Sequence, residues 1–155
     1  MSEMTVPRTE LIKDTDAILH IREEVVKDKI DSVFSKLSLL DYRMLKRVWP
    51  EIGNEEKIPE EKVFLQTLQE EFDIPMSKIS QAVESMNNKG LIDWKRAESG
   101  TYIQVTNRGF SLFREQQEIL FSYFGRVFNR LGIERMHEIV QALNELEHAM
   151  NSEMP

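Results

Sequence analysis

The sequence predicts a mainly α-helical α+β protein, a winged helix-turn-helix with long N- and C-terminal helices forming a dimerisation lobe. Three observations predict it. Both ends of the 155-residue chain carry apolar residues at steps of three and four, which is helical spacing. A short helical pattern from residue 75 runs into Lys89-Gly90. Two stretches of alternating apolar and polar residues follow, as in the hairpin of a winged helix.

The N-terminal part is predicted to hold two helices. The first runs from about Thr9 to Phe34, and the second runs from about Leu39 to Trp49, where Pro50 ends it. Apolar residues follow one side of the first helix: Ile18, Ile21, Val25, Val26, Ile30, Val33 and Phe34. The predicted buried side of the second helix is Leu40, Met44, Leu45 and Val48.

The compact winged unit is predicted between Pro59 and Thr106. Pro59 suits a first helical turn, and a core stripe follows it: Phe64, Leu65, Leu68 and Phe72. After a turn at residues 73–75, a second helix is predicted from Met76 to Asn88, with Gly90 as a left-handed cap. Strands are predicted at residues 92–94 and 103–105, joined by a turn at residues 97–100.

The C-terminal part is predicted to form two helices that need a partner. One is capped by Asn107 and runs to about Leu131, and the other runs from about Ile133 to Met150. Their apolar residues outnumber what a small winged unit can cover, which predicts a two-fold homodimer. The alternative is a monomeric helical core folded over the winged unit. Residues 1–38 and 109–155 are therefore assigned to dimerisation, and residues 39–108 to the winged lobe.

The composition excludes several classes of protein. The chain has no cysteine, which rules out disulfides, thiolate zinc sites and cysteine nucleophiles. No stretch reaches the roughly 18 apolar residues of a membrane span, and the N-terminus lacks an apolar signal region, so a cytoplasmic location is predicted. The three histidines are scattered and the adjacent glutamates diverge on a helix. No metal site, cofactor or catalytic residue, and hence no enzyme, is predicted.

Charge is distributed unevenly along the chain. The net charge of −7 opposes nonspecific binding to a polyanion. Residues 75–108 nevertheless contain five lysines and arginines against three carboxylates, an excess of two positive charges. Positive charge is therefore concentrated where the helix and the hairpin are predicted.

Two stretches resemble the MarR family of bacterial transcription regulators. They read SKISQAVESMNNKGLIDWKR and IQVTNRGFSLF, and the matching residues are Met86, Lys89, Gly90, Leu91, Val105, Thr106 and Gly109. The element order extends the resemblance from about Ile18 to Met150. It implies a dimeric repressor that binds a pseudo-palindromic site in double-stranded DNA and is released by a small aromatic or phenolic effector. This wing lacks the Asp-x-Arg motif of the family, and Gln81 stands where many relatives have Arg.

The resemblance assigns candidate DNA-binding residues to the second helix of the winged unit and to the wing. On the helix they are Ser77, Lys78, Ser80 and Gln81, of which the Gln81 amide suits an adenine edge. On the wing they are Lys95 and Arg96, as phosphate contacts. The alternative interpretation is an ordinary solvated helix face and strand end.

A second set of candidates concerns the effector. In the family it binds where the dimerisation helices meet the winged lobe, which here implies His20, Tyr42 and Trp49 as pocket residues. Core packing is the competing interpretation for each of them.

One rival function remains open at the level of sequence. The acidic balance and the missing wing motif also suit a winged helix that binds proteins and has lost DNA binding.

Overall fold

The computed structural model describes residues 6–48 and 62–154. The chain divides into two compact units, Met1–Gln117 and Glu118–Pro155. The described elements, in chain order, are helix α1 over residues 8–33, α2 (Leu39–Val48), β1 (Val63–Phe64), α3 (Leu65–Phe72), α4 (Met76–Asn88), β2 (Ile92–Ala97), β3 (Gly100–Val105), α5 (Asn107–Leu131) and α6 (Ile133–Glu153). This mainly helical winged-helix architecture confirms the predicted fold class. The predicted division into residues 1–38, 39–108 and 109–155 stays a prediction.

Helix α1 is continuous but changes its hydrogen-bonding pattern. An α-helical segment, Arg8–Ile21, is followed by a π-helical segment, Arg22–Ile30, and by a last α-helical turn, Asp31–Val33. The N–H of Asp31 donates to the carbonyl of Val26, five residues back, which is the π pattern. No residue of the first two segments is buried, and Leu19, for example, is 57 % exposed. In a single chain, this helix therefore leaves its apolar side chains in water.

Helix α2 supplies one wall of the core. Ser38 caps it, because the Asp41 N–H donates to the Ser38 Oγ at 3.1 Å. Three of its side chains are buried in the core, as predicted: Met44, Leu45 and Val48. The predicted end at Trp49 lies outside the described residues.

The first helix of the winged unit is shorter than predicted. Phe64 was predicted in a helical core stripe, but Val63 and Phe64 form strand β1 and the helix begins at Leu65. Strand β1 pairs antiparallel with β3, Val63 opposite Ile103 and Phe64 opposite Tyr102. This pairing gives the outer edge of β3 hydrogen-bond partners and buries Val63, so tertiary pairing overrides the helical spacing. The predicted start at Pro59 lies outside the described residues.

The wing is a tight hairpin within a three-stranded sheet of order β1-β3-β2. Strands β2 and β3 pair antiparallel from Ile92 opposite Val105 to Ala97 opposite Gly100, so the loop is Glu98-Ser99. Both strands extend further than predicted, because main-chain pairing continues past the last buried side chains. The resulting wing is short, and its tip is exposed.

The end of α4 is fixed by a Schellman motif. Gly90 has φ of +75°, as the sequence predicted for a left-handed cap. The Leu91 N–H donates to the Met86 carbonyl at 2.9 Å, and the Gly90 N–H donates to the Asn87 carbonyl at 3.0 Å. Leu91 and Met86 are both buried, which adds the apolar contact of that motif.

The start of α5 is bonded to Gly90 and Leu91, the residues that end α4. Thr106, and not the predicted Asn107, caps the helix, because the Gly109 N–H donates to the Thr106 Oγ1 at 3.1 Å. The Thr106 hydroxyl donates in turn to the Gly90 carbonyl at 2.6 Å, which fixes its rotamer. A Cβ on Gly109 would collide with the Leu91 carbonyl, so the close approach of α5 to Leu91 requires glycine.

Buried Gln116 of α5 holds the segment that follows α1. Its Oε1 accepts hydrogen bonds from the Lys36 N–H at 2.9 Å and the Leu37 N–H at 3.2 Å, and its Nε2 donates to the Val33 carbonyl at 2.9 Å. The first two bonds satisfy N–H groups of the connection between α1 and α2, and the third is a second bond to the Val33 carbonyl, which also accepts from the Ser35 N–H at 3.0 Å. Its neighbour Gln117 is also buried, but its Nε2 has no hydrogen-bond partner among the described residues.

The two glutamines should respond oppositely to the same substitution. Gln116→Leu leaves the Lys36 and Leu37 N–H groups without their side-chain acceptor and removes one of the two bonds to the Val33 carbonyl, which also accepts from the Ser35 N–H. It should therefore lower the free energy of unfolding by about 2–5 kcal/mol. Gln117→Leu removes an unsatisfied amide and should leave stability within about 1 kcal/mol of wild type, or raise it. Urea unfolding followed by circular dichroism, at matched protein concentration, measures both. Equal losses in the two variants would contradict the assignment of the three bonds to Gln116.

The second unit consists of the C-terminal part of α5 and helix α6. Together they form an apolar cleft of about 600 Å³, lined by Leu120, Phe121, Phe124, Gly125, Phe128, Met136 and Val140. Helix α6 has no buried residue, and Leu143 is 57 % exposed. The apolar residues of this unit are therefore gathered on a surface rather than in a core.

Candidate nucleic-acid interface

Helix α4 presents one face to the core and the opposite face to solvent. Ile79, Val83 and Met86 are fully buried. Of the predicted DNA-binding residues, Ser77, Lys78 and Gln81 are exposed, whereas Ser80 is half-buried on the flank of the helix. At 100° per residue, Ser77 and Gln81 lie nearest the centre of the outward face.

Three further residues of the same face were not among the predicted DNA-binding residues. Glu84, Ser85 and Asn88 are all exposed and follow Gln81 at steps that keep them on its side of the helix. Together with Gln81 and Lys89, they line a shallow concavity of about 340 Å³. Helical spacing counted from Gln81 would have found them. The outward face of α4 is therefore Ser77, Gln81, Glu84, Ser85 and Asn88.

The two wing cations point to opposite faces of the hairpin. Lys95 is paired with Tyr102 and Arg96 with Thr101, and successive side chains of a strand alternate between faces. Both are exposed. A single DNA backbone passing one face of the wing therefore meets only one of them directly.

Buried Asp41 links helix α2 to the end of α4. It is buried beside Lys89, whose charge acts on it, and its carboxylate bonds Ser38. Burial raises the pKa of Asp41, and the Ser38 hydrogen bond and the Lys89 charge only partly oppose this. Asp41 of α2 thus interacts electrostatically with Lys89, the residue that follows α4.

Cations of α2 also contact the last turn of α3, just before α4. The Arg43 guanidinium lies 4.6 Å from the ring centroid of Phe72, and the Arg47 Nε donates to the Glu71 carboxylate at 2.6 Å. Asp73, in the left-handed region with φ of 51°, then turns the chain into α4. These contacts fix the direction in which α4 starts.

Two of the predicted effector residues, His20 and Tyr42, lie in the described part of the chain, and they lie apart in a single copy. His20 is exposed in the first segment of α1, fourteen residues and roughly 20 Å along the helix from Phe34. Tyr42 packs against Phe34, with ring centroids 5.7 Å apart, and stacks on Phe113 at 5.0 Å. Trp49 lies outside the described residues. Tyr42 is therefore placed in an aromatic cluster next to the Gln116 contacts.

Other kinds of site receive no support from the described part of the chain. No group of three or more His, Asp and Glu side chains within residues 6–48 and 62–154 could hold a metal ion. None of the helices described there is both long and apolar enough to cross a membrane.

The Asp41 assignment predicts a pH dependence of stability. A carboxyl whose pKa is higher in the folded state than in the unfolded state costs no stability below its unfolded pKa and lowers stability as the pH rises through the folded value. Asp41→Asn keeps an acceptor for the cap and removes the buried charge. Its unfolding free energy, minus that of wild type, should therefore increase from about pH 4 to pH 7.

Thermal melts of both proteins across this pH range provide the measurement. Exposed Asp93→Asn is the matched control and should track wild type. A difference between Asp41→Asn and wild type that stays constant with pH would show that the Asp41 pKa is not raised.

Comparisons with solved structures identify the fold. BldR, a transcriptional regulator from Sulfolobus solfataricus, is 20 % identical, with a TM-score of 0.64 over 94 % of this chain and 99 % of that one. Sco5413, a MarR family regulator from Streptomyces coelicolor, is 16 % identical, with a TM-score of 0.67 over 97 % and 100 %. A MarR family protein from Bacillus stearothermophilus is 14 % identical, with a TM-score of 0.66 over 96 % and 99 %.

Sequence comparisons alone give no such match. No protein-family model matches the chain, and no curated protein matches it significantly. The likeness therefore lies in the arrangement of the helices and the wing, over nearly the whole length of both chains: the chain has the winged helix-turn-helix fold of the MarR family of transcriptional regulators.

Proposed function

We propose that the protein is a dimeric DNA-binding transcription regulator of MarR type, without catalytic activity, acting as a repressor on a pseudo-palindromic site. The observation that carries the proposal is the outward face of α4, which is exposed and composed of amide, hydroxyl and carboxylate groups. In a winged helix, this element enters the major groove, where such groups recognise base edges.

The acidic net charge is compatible with this function because binding depends on local charge. Lys78, Lys89, Lys95, Arg96 and Arg108 lie on or beside the proposed interface, and all are exposed. An excess of two positive charges per copy supports a few phosphate contacts rather than many. Base contacts by α4 must then supply most of the preference for one sequence.

Dimerisation is supported by apolar surface that a single chain leaves in water. In the first unit, the exposed residues of α1 include Leu11, Ile18, Leu19, Val25 and Val26. In the second unit, α6 exposes Val140, which lines the apolar cleft, and also exposes Leu143 and Met150. A second copy that covers these surfaces would place two recognition helices about one helical turn of DNA apart.

Release by a small aromatic effector and a cytoplasmic location complete the proposal. The aromatic cluster of Tyr42, Phe34 and Phe113 supports the effector, because it lies beside the Gln116 bonds that hold the end of α1. An effector that displaces Tyr42 would move that end of α1 and so change the spacing of the two recognition helices. His20 and Trp49 remain predicted members of the effector site.

Substitutions on α4 and on the wing should separate base recognition from backbone binding. Gln81→Ala should cost about 1–3 kcal/mol on the cognate site and relax preference at one base pair per half-site. Lys95→Ala and Arg96→Ala should weaken binding to all sequences alike. Because the two wing side chains face opposite ways, the larger effect should belong to one of them. For that variant, the slope of the logarithm of the binding constant against the logarithm of the salt concentration should become shallower by about 0.9 for each phosphate that is no longer neutralised.

Fluorescence anisotropy titrations with labelled duplexes at two salt concentrations measure these effects. Exposed Glu153→Gln at the end of α6 serves as the control. Loss of sequence preference in the wing variants but not in Gln81→Ala would remove α4 as the reader. If wild type binds no duplex even at low salt, the protein-binding winged helix replaces this proposal.

The dimer should depend on the apolar side of α6. Leu143→Glu places a charge on that side and should weaken the dimer by about 3–6 kcal/mol, since each copy contributes one leucine worth about 1.5–3 kcal/mol. Gln141→Glu adds the same charge on the opposite side of the helix and should leave the dimer intact. Sedimentation equilibrium at micromolar concentration measures both. A compact, folded 18.2 kDa wild-type species would contradict the dimer.

A further inference from the structure

The outward face of α4 includes one carboxylate, that of Glu84. Glu84 follows Gln81 by three residues and precedes Asn88 by four, so the three side chains form one row along the helix. All three are exposed, and they share the concavity of about 340 Å³ with Ser85 and Lys89. Apart from Glu84, the row and its neighbour Ser85 are uncharged.

No cation neutralises this carboxylate within the described part of the chain. Glu84 forms no ion pair or hydrogen bond with any described residue. The nearest cations on its own helix and cap are Lys78 and Lys89, six residues before it and five after it, and neither spacing gives the side-by-side pairs of a helix surface. A free negative charge therefore faces the direction from which DNA approaches.

Such a charge opposes binding to every duplex unless the DNA offers it a donor. Phosphates repel it, and guanine presents two acceptors, O6 and N7, in the major groove. Cytosine presents the N4 amino group, a donor that a carboxylate accepts from. The amides of Gln81 and Asn88 have both donors and acceptors and can match the N6 and N7 of adenine instead.

We infer that Glu84 reads a cytosine in each half-site and rejects guanine at the same position. This inference rests on the proposed function, because it needs α4 in the major groove. The carboxylate acts in two ways. It accepts a hydrogen bond from the cytosine amino group, and it weakens binding wherever that donor is missing. An acidic group on this helix is thus a source of selectivity for a protein with few phosphate contacts.

The two effects give Glu84→Gln an unusual signature. A glutamine of the same shape has no charge to repel phosphates, so affinity for unrelated duplexes should rise. It also has an amide donor that tolerates guanine and adenine, so the preference for cytosine at one base pair per half-site should fall. The expected loss of that preference is about 5- to 150-fold, the range of one good side chain–base pair.

The experiment selects binding duplexes from a random-sequence pool with the wild-type homodimer and with Glu84→Gln. Titrations then follow on the selected site and on its variants at the cytosine position. Glu134 is exposed at the start of α6, outside α4. Glu134→Gln removes one negative charge there and should change neither the affinity for unrelated duplexes nor the preference for cytosine. Because Glu84 is exposed, both variants should melt like wild type.

Each result decides the inference. Tighter binding to unrelated duplexes together with relaxed preference at one base pair per half-site supports it. An equal gain on all sequences, with the preference unchanged, shows that Glu84 is only a repulsive charge and overturns the inference, while the proposed function stands. Failure of wild type to select any duplex overturns the proposed function, and this inference with it.

Discussion

The main chain of Leu91 joins three elements of the winged unit, and the position of helix α4 depends on it. Its N–H ends α4 through the Met86 carbonyl, and its carbonyl accepts from the Thr106 N–H at 3.1 Å, where α5 begins. The Leu91 side chain is buried in the same core as Ile79 and Val83 of α4. Gly109 lets α5 approach this carbonyl closely. Helix α4, the wing and α5 therefore all meet at the main chain of Leu91. A displacement of the start of α5 would also displace α4 and the wing.

A second set of contacts ties the end of α1 to α5. Gln116 bonds the carbonyl of Val33, the last residue of α1, and two N–H groups that follow the helix, and Tyr42 stacks on Phe113 one turn earlier on α5. Buried amides with all their groups satisfied hold a segment in one arrangement more firmly than apolar packing does, because every alternative leaves a polar group without a partner. The end of α1 and the start of α5 are thus positioned as one body in the first unit.

Electrostatics set the character of the proposed interaction with DNA. The carboxylates outnumber the cations over the whole chain, whereas the cations near α4 and the wing exceed the carboxylates by two. A protein with a negative net charge and so small a local excess of cations gains little from the nonspecific attraction that holds many DNA-binding proteins to any duplex. Its affinity must come from matching particular base edges. Glu84, unpaired within the described part of the chain, strengthens this dependence, because at a base pair without a donor for it the carboxylate repels the DNA.

Local patterns in the sequence were enough to predict the order of the elements apart from β1, helix α4 and its buried stripe, and the left-handed Gly90 followed by a hairpin. Helical periodicity, alternation in strands and the φ preference of glycine act over a few neighbouring residues. The exposed positions of Ser77, Lys78 and Gln81 follow from the same periodicity. Helical periodicity would also have predicted the exposure of Glu84, Ser85 and Asn88. Periodicity did not predict that Ser80 is half-buried, because the exposure of a residue on the flank of a helix depends on which elements pack beside it.

Features that depend on distant partners became visible only in the folded chain. Phe64 joined a strand because β3 offered an edge to pair with, and Thr106 became the cap of α5 because the Gly90 carbonyl fixed its hydroxyl. Gln116 and Gln117 are both buried, but only the Nε2 of Gln117 lacks a hydrogen-bond partner among the described residues. The three partners of Gln116 come from a segment about eighty residues earlier in the chain. Each of these results from hydrogen bonding between segments far apart in the chain, which local spacing does not encode.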